Sequence, residues 1–206
     1  MEREDPRDAW VSSQYASLMD LPQGAVVGTS SLRRTVLLRA LRPDLKIEPL
    51  RGNLDTRLRK LDEGQYAGII LAAAGLKRLK LSDRIRHIFD TQQMLPAAGQ
   101  GALGIEICEG RADLLEALQP LVHNTSWLAV AAERAVSRAM GGSCSMPLAA
   151  HATLVGDVLS LRAAWGDPEG STQLVNAAIS GAVSSLQDAE ALGLQVANDL
   201  KRGGAH

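Results

Sequence analysis

Residues 24–81 constrain the fold most, because short apolar segments alternate there with segments of helix type. Strands are predicted at residues 25–27, 46–50 and 66–73. The third is a continuous apolar run, which is typical of a strand buried on both faces of a parallel sheet. Parallel strands need long crossover connections, and the helical segments between them supply these. The order therefore predicts an α/β lobe with an open parallel sheet.

Start and stop signals bound the two crossover helices. Ser30 or Ser31 is predicted to cap the first helix, because a seryl hydroxyl accepts from a free N–H group in the first turn. Pro43 stops this helix, since proline cannot continue the hydrogen-bonding pattern. The second helix is predicted over about residues 53–64, and a further strand at 103–108.

The pattern changes after about residue 110, where helices precede a run of strands. Helices are predicted at 111–118, 125–140 and 188–201, and strands at 149–154, 158–164 and 173–179. Asn124 or Thr125 is predicted to cap the middle helix. Gly156-Asp157 is a strong turn signal, so the first two of these strands are predicted to form a hairpin. This half is predicted to be a small α+β domain with a three-stranded antiparallel sheet and helices. We divide the chain into residues 1–101, 102–119 and 120–206.

The charge is unevenly distributed along the chain. Residues 33–86 hold 14 Lys or Arg against 6 Asp or Glu, whereas the remainder holds 8 against 17. A basic segment within a chain of net charge −1 indicates an anionic ligand. There are only six aromatic residues, so stacking platforms for nucleic acid are missing, and we predict no nucleic-acid partner. Small polyanions or polycarboxylates fit better.

Cysteine usage and hydropathy exclude other classes of protein. Two cysteines without regular spacing give neither a disulfide framework nor a zinc ribbon, and they fit a reducing compartment. The four histidines show no metal-ligand spacing, so no metal site is predicted. The longest apolar run, residues 67–76, is far too short to span a bilayer. We therefore expect a cytoplasmic protein without a membrane partner.

Arginines stand where helices ordinarily avoid them. Arg33 and Arg34 fall in the first turn of the first predicted helix, where the macrodipole disfavours cations. Arg51 leads into the second helix and Arg57 lies in its first turn, while Arg78 follows the third strand. Carboxyl ends of parallel strands are where open α/β sheets bind ligands. Several guanidinium forks at this edge predict a ligand with several carboxylates.

Cys144 lies in the segment GGSCSMP, residues 141–147, behind a predicted amphipathic helix. The glycines end the helix and the proline prevents its resumption, so the thiol is presented on a tight loop. Such a loop suits a sulfur used in covalent chemistry. The alternative is a half-buried loop cysteine without a role.

Six stretches of the chain, in order, resemble the porphobilinogen deaminase family, also called hydroxymethylbilane synthase. They are "GTSSLRR" (28–34), "LRGNLDTRLRKLDEG" (50–64), "ILAAAGLKRL" (70–79), "LPAAGQGALGIE" (95–106), "AAERA" (131–135) and "GGSCSMP" (141–147). The resemblance implies a transferase of heme and porphyrin biosynthesis. Such an enzyme joins four porphobilinogen units head to tail, releases ammonia at each addition and yields a linear tetrapyrrole.

The resemblance also implies roles for individual residues. Cys144 would carry a dipyrromethane cofactor through a thioether. The residues that would hold the carboxylates of this cofactor are Ser31, Arg33, Arg34 and Arg57. Arg51 and Arg78 would bind the incoming porphobilinogen. A full-length member of the family is expected to be a monomer.

The catalytic acid of the family has no match in this chain. The resemblance places it in a first domain that precedes residue 1, so the catalytic residue is unknown here and the chain is expected to be an incomplete, inactive form. None of the candidate acids matches it: Asp44, Asp55, Asp62 and Asp83. Residues 102–119 would return to that first domain.

Two other interpretations remain open. The parallel half is similar to one lobe of periplasmic-binding-protein-like folds, so the chain could be a non-catalytic anion-binding module. That interpretation leaves the Cys144 segment unexplained. The chain could instead be a nonfunctional fragment that retains the arginines of an active ancestor.

Overall fold

The computed structural model describes residues 1–142, 146–170 and 173–206. Within these ranges the chain forms eight strands and six α-helices. The strands are β1 (Asp8–Val11), β2 (Val26–Gly28), β3 (Lys46–Glu48), β4 (Gly68–Ala72), β5 (His87–Ile88), β6 (Leu148–Val155), β7 (Val158–Gly166) and β8 (Leu174–Ala182). The helices are α1 (Leu32–Leu41), α2 (Leu54–Asp62), α3 (Ala73–Arg78), α4 (Ala112–Leu118), α5 (Asn124–Ala139) and α6 (Leu186–Arg202).

The first sheet has the strand order β3-β2-β4-β1-β5. Strand β2 pairs in parallel with both β3 and β4, which confirms the predicted parallel lobe with α1 and α2 as crossovers. The sheet is nevertheless mixed, because β1 runs antiparallel to β4 and β5. β1 was not predicted from the sequence. It has four residues, all buried, and is too short to show an alternating pattern.

A glycine in β4 makes room for a tryptophan of the neighbouring strand β1. A Cβ atom added at Gly68 would overlap the indole ring of Trp10. The ring is fully buried and belongs to the cluster of apolar side chains on one face of the sheet. Gly68 therefore lets a large aromatic side chain lie against the backbone of β4.

The strand predicted at residues 103–108 is wrong. This segment contains no strand and has no neighbouring ladder within the described residues. Leu103 and Ile105 are 56% and 51% exposed. Alternation of apolar residues indicates a strand only where another strand can accept its hydrogen bonds, and none reaches this segment.

The second sheet is a three-stranded antiparallel meander, β6-β7-β8, as predicted. β6 and β7 form a hairpin across Gly156, whose φ of +62° lies in the left-handed region that favours glycine. Helices α5 and α6 pack against each other and against this sheet, and their buried side chains form a core with β6 and β7. The predicted α+β half is confirmed.

The starts of α5 and α6 differ in their caps. Ser185 begins α6 with a capping box, in which its side chain accepts from Asp188 N and that carboxylate accepts from Ser185 N. The residue before α5 is His123, and no side chain caps this helix. The predicted cap at Asn124 or Thr125 is therefore wrong, because both residues already lie inside the helix.

A buried carboxylate joins the two halves of the chain. Glu133 of α5 has no exposed surface and accepts from Arg3 Nη1 at 2.6 Å and Arg3 Nη2 at 3.1 Å. It also accepts from the backbone N–H groups of Gly99 at 2.6 Å and Ala152 at 2.7 Å. Burial raises the pKa of Glu133, and these four donors oppose that rise. The N-terminal segment, the loop after β5 and strand β6 therefore meet at one side chain.

In the part of the chain that the structure describes, no helix combines the length and the apolar character needed to cross a bilayer.

Candidate anion-binding site

The N-terminus of α1 carries two of the predicted site residues in its first turn. Ser31 is the N-cap, and its side chain accepts from Arg34 N at 3.5 Å. The first turn contains Arg33 and Arg34 and no acidic residue, as the sequence indicated. Both arginines are buried, with 3% and 8% of their surface exposed. Two cations at the positive end of a helix dipole therefore require a counter-charge close by.

That counter-charge is Asp8, the first residue of β1, which is fully buried. Arg34 donates to Asp8 Oδ1 from Nε at 3.1 Å and from Nη2 at 2.7 Å. Arg33 Nη1 lies 2.8 Å from Asp8 Oδ2. One carboxylate thus faces two guanidinium groups, and the cluster keeps a net positive charge.

Burial by itself would raise the pKa of Asp8, but the charges of Arg33 and Arg34 outweigh it and lower this pKa to about 2. Asp8 is therefore ionised at neutral pH. For Arg33, burial and the neighbouring Arg34 charge lower the pKa, and Asp8 opposes that change.

The remaining donors of the two arginines are held in part by the protein. Arg33 Nη1 donates to Leu95 O at 2.6 Å, and Arg33 Nη2 donates to Gln100 Oε1 at 3.3 Å. Arg34 Nη1 donates to Ile70 O at 3.1 Å. Arg33 Nε is buried and has no hydrogen-bond partner among the described residues. This donor is free for an acceptor that the protein itself does not supply.

The N-terminus of α2 carries a third arginine with a different environment. Asn53 caps the helix by accepting from Thr56 N at 2.9 Å, and Arg57 Nε donates to Gly52 O at 2.9 Å. Arg57 is half-buried and forms no ion pair within the described residues. Burial and the charge of Arg34 lower the pKa of Arg57. Its guanidinium therefore adds an uncompensated positive charge beside the α1 cluster.

Arg51 and Arg78 are exposed and form no ion pair among the described residues. Arg78 Nη2 donates to Gly101 O at 3.3 Å. The prediction that the third strand leads directly to Arg78 is wrong in detail. β4 ends at Ala72, and Arg78 lies in the last turn of α3, where a cation is favourable to the helix dipole.

The sequence missed two members of this cluster, Asp8 and Gln100. Gln100 Nε2 donates to Asp8 Oδ1 at 3.0 Å and to Pro6 O at 2.5 Å, while its Oε1 accepts from Arg33. Residues 1–8 are mostly charged and predict neither a strand nor a site by themselves. The only sequence signal for Asp8 is an apolar triplet, residues 9–11, which follows it directly.

The cysteine predicted to carry the cofactor, Cys144, lies outside the described residues. The structure describes the chain up to Gly142 and from Met146 onward. The predicted helix end before it is confirmed, because α5 ends at Ala139 and Gly142 N donates to Ser137 O at 2.7 Å. Gly141 and Gly142 both have positive φ, at 110° and 64°.

An apolar groove separates α5 from the segment 102–121, with a cavity volume of about 820 Å³. Its lining includes Leu103, Ile105, Leu115, Leu121 and Trp127, each at least 44% exposed. No group of three metal-binding side chains occurs within the ranges that the structure describes.

Two family models match the chain over most of its length. One, described as "Porphobilinogen deaminase, dipyromethane cofactor binding domain", matches residues 1–116. The other, described as "Porphobilinogen deaminase, C-terminal domain", matches residues 127–202.

Similar curated proteins carry the name porphobilinogen deaminase. The one from Albidiferax ferrireducens is 72% identical over 201 residues, which are 98% of this chain and 64% of the relative. Those from Burkholderia thailandensis and Paraburkholderia phytofirmans are 60% and 58% identical over 205 residues, which are 62% and 60% of their length. The chain thus spans a little under two thirds of the length of these relatives.

Proposed function

The chain belongs to the porphobilinogen deaminase family, and on this premise we propose that it contributes the carboxylate-binding part of a tetrapyrrole-forming transferase. The proposed reaction joins four porphobilinogen units head to tail into hydroxymethylbilane and releases ammonia at each addition. A pyrrole with acetate and propionate side chains is the polycarboxylate that the basic segment favours.

The charge of the cluster is the observation that carries this proposal. Arg33 and Arg34 face the single carboxylate of Asp8, and Arg57 lies close enough to Arg34 for their like charges to interact, so positive charge remains uncompensated. These guanidiniums lie at the N-termini of α1 and α2, where free N–H groups and the helix dipoles also favour anions. The arrangement suits two or more carboxylates on one ligand.

The described residues fit the dipyrromethane cofactor that the family uses. The unpartnered Nε of Arg33 and the unpaired guanidinium of Arg57 are donors for its carboxylates, and Arg34 and Ser31 lie beside them. We propose Cys144 as the attachment residue, through a thioether. When bound, the cofactor supplies the pyrrole carbon to which porphobilinogen is joined.

We propose that Arg51 and Arg78 bind the incoming porphobilinogen. Both are exposed cations without an ion pair in the described residues, so neither must be released from a carboxylate before it takes a ligand. The exposed arginines would then attract and orient the incoming porphobilinogen, whereas the buried arginines would hold the cofactor, which stays attached to the protein.

The acid that manages the protons of this reaction is not Asp8. The pKa of Asp8 is lowered to about 2 by its two arginines, so it does not release or take up a proton at neutral pH. We propose that the catalytic acid lies in the part of the relatives' length that these 206 residues do not match, as the resemblance to the family implies.

The same part of the relatives provides a partner for the apolar groove. The chain exposes 11055 Å², whereas a monomer of 21.9 kDa ordinarily exposes about 9,300 Å². We propose that residues 102–119 contact that further part of the protein, and that residues 1–101 and 120–206 are the other two units.

Turnover by the 206-residue polypeptide tests this proposal. We expect it to release little or no ammonia from porphobilinogen, and to do so at family-like rates when joined to the N-terminal third of the Albidiferax relative. A matched fusion with Arg57→Leu controls for the cluster. Robust turnover by residues 1–206 alone would overturn our placement of the acid. A folded fusion without turnover would favour the non-catalytic anion-binding alternative.

A further inference from the structure

We propose that Asp8 is a positioning residue, which holds the guanidinium groups of Arg33 and Arg34 in the orientation that receives a carboxylate ligand. This inference rests on the proposed function and deepens it. Asp8 is buried, and among the described residues it forms no hydrogen bond or ion pair with Arg51 or Arg78, the residues proposed to bind the incoming substrate. Asp8 acts through the two arginines and is given no contact with the ligand.

The two oxygens of Asp8 are held differently: Oδ1 accepts three hydrogen bonds, whereas Oδ2 is ion-paired and has no hydrogen bond within the described residues. Oδ1 accepts from Arg34 Nε, Arg34 Nη2 and Gln100 Nε2 at 3.1, 2.7 and 3.0 Å. Oδ2 lies 2.8 Å from Arg33 Nη1. Two contacts from one guanidinium to one oxygen define the plane of the Arg34 group, so its remaining N–H bonds have set directions.

Gln100 forms a further link between Asp8 and Arg33. Its Oε1 accepts from Arg33 Nη2 at 3.3 Å, while its Nε2 donates to Asp8 and to Pro6 O. The amide therefore links the carboxylate to the more deeply buried guanidinium. With Leu95 O also accepting from Arg33, rotation of that side chain would break several hydrogen bonds at once.

The like charges of Arg33 and Arg34 explain why this network of hydrogen bonds is needed. Arg33 and Arg34 are consecutive, buried and of like charge, so without a counter-ion they would repel each other and move toward solvent. Asp8 keeps them together while leaving donors unused, among them Arg33 Nε. A ligand carboxylate then meets donors that are already ordered, which lowers the entropy cost of binding.

Asp8→Asn separates positioning from simple electrostatics, because the two predict opposite signs. Removal of a negative charge from a cationic site should strengthen anion binding if charge alone decides. If Asp8 positions the arginines, the variant should bind porphobilinogen at least about tenfold more weakly. Asp44→Asn is the matched control, since Asp44 pairs with Arg42 and, within the described residues, forms no hydrogen bond or ion pair with Asp8, Arg33 or Arg34.

Calorimetric titration with porphobilinogen, used as a soluble pyrrole that carries the same acetate and propionate side chains as the cofactor, and the ¹⁵N–¹H signal of Arg34 Nε provide the two readouts. We expect Asp8→Asn to lose affinity and to lose the exchange-protected Arg34 Nε signal, while Asp44→Asn keeps both. Should Asp8→Asn fail to fold, Gln100→Leu, which leaves all charges in place, is expected to weaken binding severalfold.

Affinity in folded Asp8→Asn equal to or above that of Asp44→Asn would overturn the proposal, as would unchanged affinity in Gln100→Leu. A wild-type chain that binds no porphobilinogen would overturn the proposed function instead. In that case an Arg34 Nε signal unaffected by Asp8→Asn would overturn the positioning role, and its loss would support it.

Discussion

Arg57 is the arginine whose removal reports on ligand binding with the least disturbance of the fold. It forms no ion pair among the described residues, and its one side-chain hydrogen bond goes to Gly52 O. Its charge is already disfavoured by burial and by Arg34, which lower its pKa. Arg57→Leu should therefore leave the free energy of unfolding nearly unchanged. By contrast, Arg34→Leu would strip Asp8 of a buried partner and confound binding with stability.

The expected loss of affinity follows from the hydrogen bonds that Arg57 can offer a carboxylate. A charge-assisted hydrogen bond contributes about 1.5–3 kcal/mol. Arg57→Leu should therefore raise the dissociation constant of porphobilinogen, used as a soluble pyrrole with the carboxylate side chains of the cofactor, about 10- to 150-fold. Arg57→Lys should restore only part of this affinity, because an ammonium group lacks the planar fork.

Isothermal titration of wild type, Arg57→Leu and Arg57→Lys with porphobilinogen measures the affinity. Thermal unfolding of each protein measures its stability. Arg59→Leu is the control on the same helix, since Arg59 is exposed and, among the described residues, its one ion pair is with Glu63. Equal affinities in wild type, Arg57→Leu and Arg59→Leu would refute the reasoning that α2 contributes to the anion site.

Two further predictions concern the buried charges. Glu133→Gln should lower the free energy of unfolding by about 3–5 kcal/mol, because it leaves Arg3 without its buried partner. Glu190→Gln, in an exposed ion pair, should lower it by less than about 1 kcal/mol. Urea unfolding compares the two variants, and equal losses would contradict the prediction. The folded pKa of Asp8, about 2, lies below its usual 3.8, so its stabilisation is present above pH 4 and is lost as pH falls toward 2. This amounts to about 2 kcal/mol, and urea unfolding from pH 5 to pH 2 should show a slope that Asp8→Asn reduces; an unchanged slope would count against the role of Asp8 as counter-ion.

The sequence predicted those helices and turns that are determined by residues close together in the chain. Helix α1 begins after Ser31 and α2 lies within the predicted residues 53–64, because caps and stops act over a few residues. The hairpin of β6 and β7 turns at Gly156 for the same reason. Strand β1 escaped prediction since its four buried residues gain their pairing from β4, about 60 positions along the chain.

The same holds for the site, where some residues could be predicted from their own position in the sequence and others could not. The arginines at the starts of α1 and α2 could be found from the sequence, because their position in the first turn is unusual by itself. Asp8 and Gln100 could not, since the folded structure brings them to Arg33 and Arg34 from distant positions in the sequence. The strand predicted at residues 103–108 is the opposite case: the apolar residues do alternate there, but no strand lies beside this segment among the described residues.

The most direct test of the account is the site of covalent modification. The chain should be joined to the N-terminal third of the Albidiferax relative, expressed in a cell that makes porphobilinogen, and mapped by peptide mass spectrometry. We predict an adduct of the mass of a dipyrromethane on the peptide that contains Cys144, none on the peptide of Cys108, and none in Cys144→Ala. An adduct on Cys108, or an unmodified Cys144 in a protein that turns over porphobilinogen, would contradict the account.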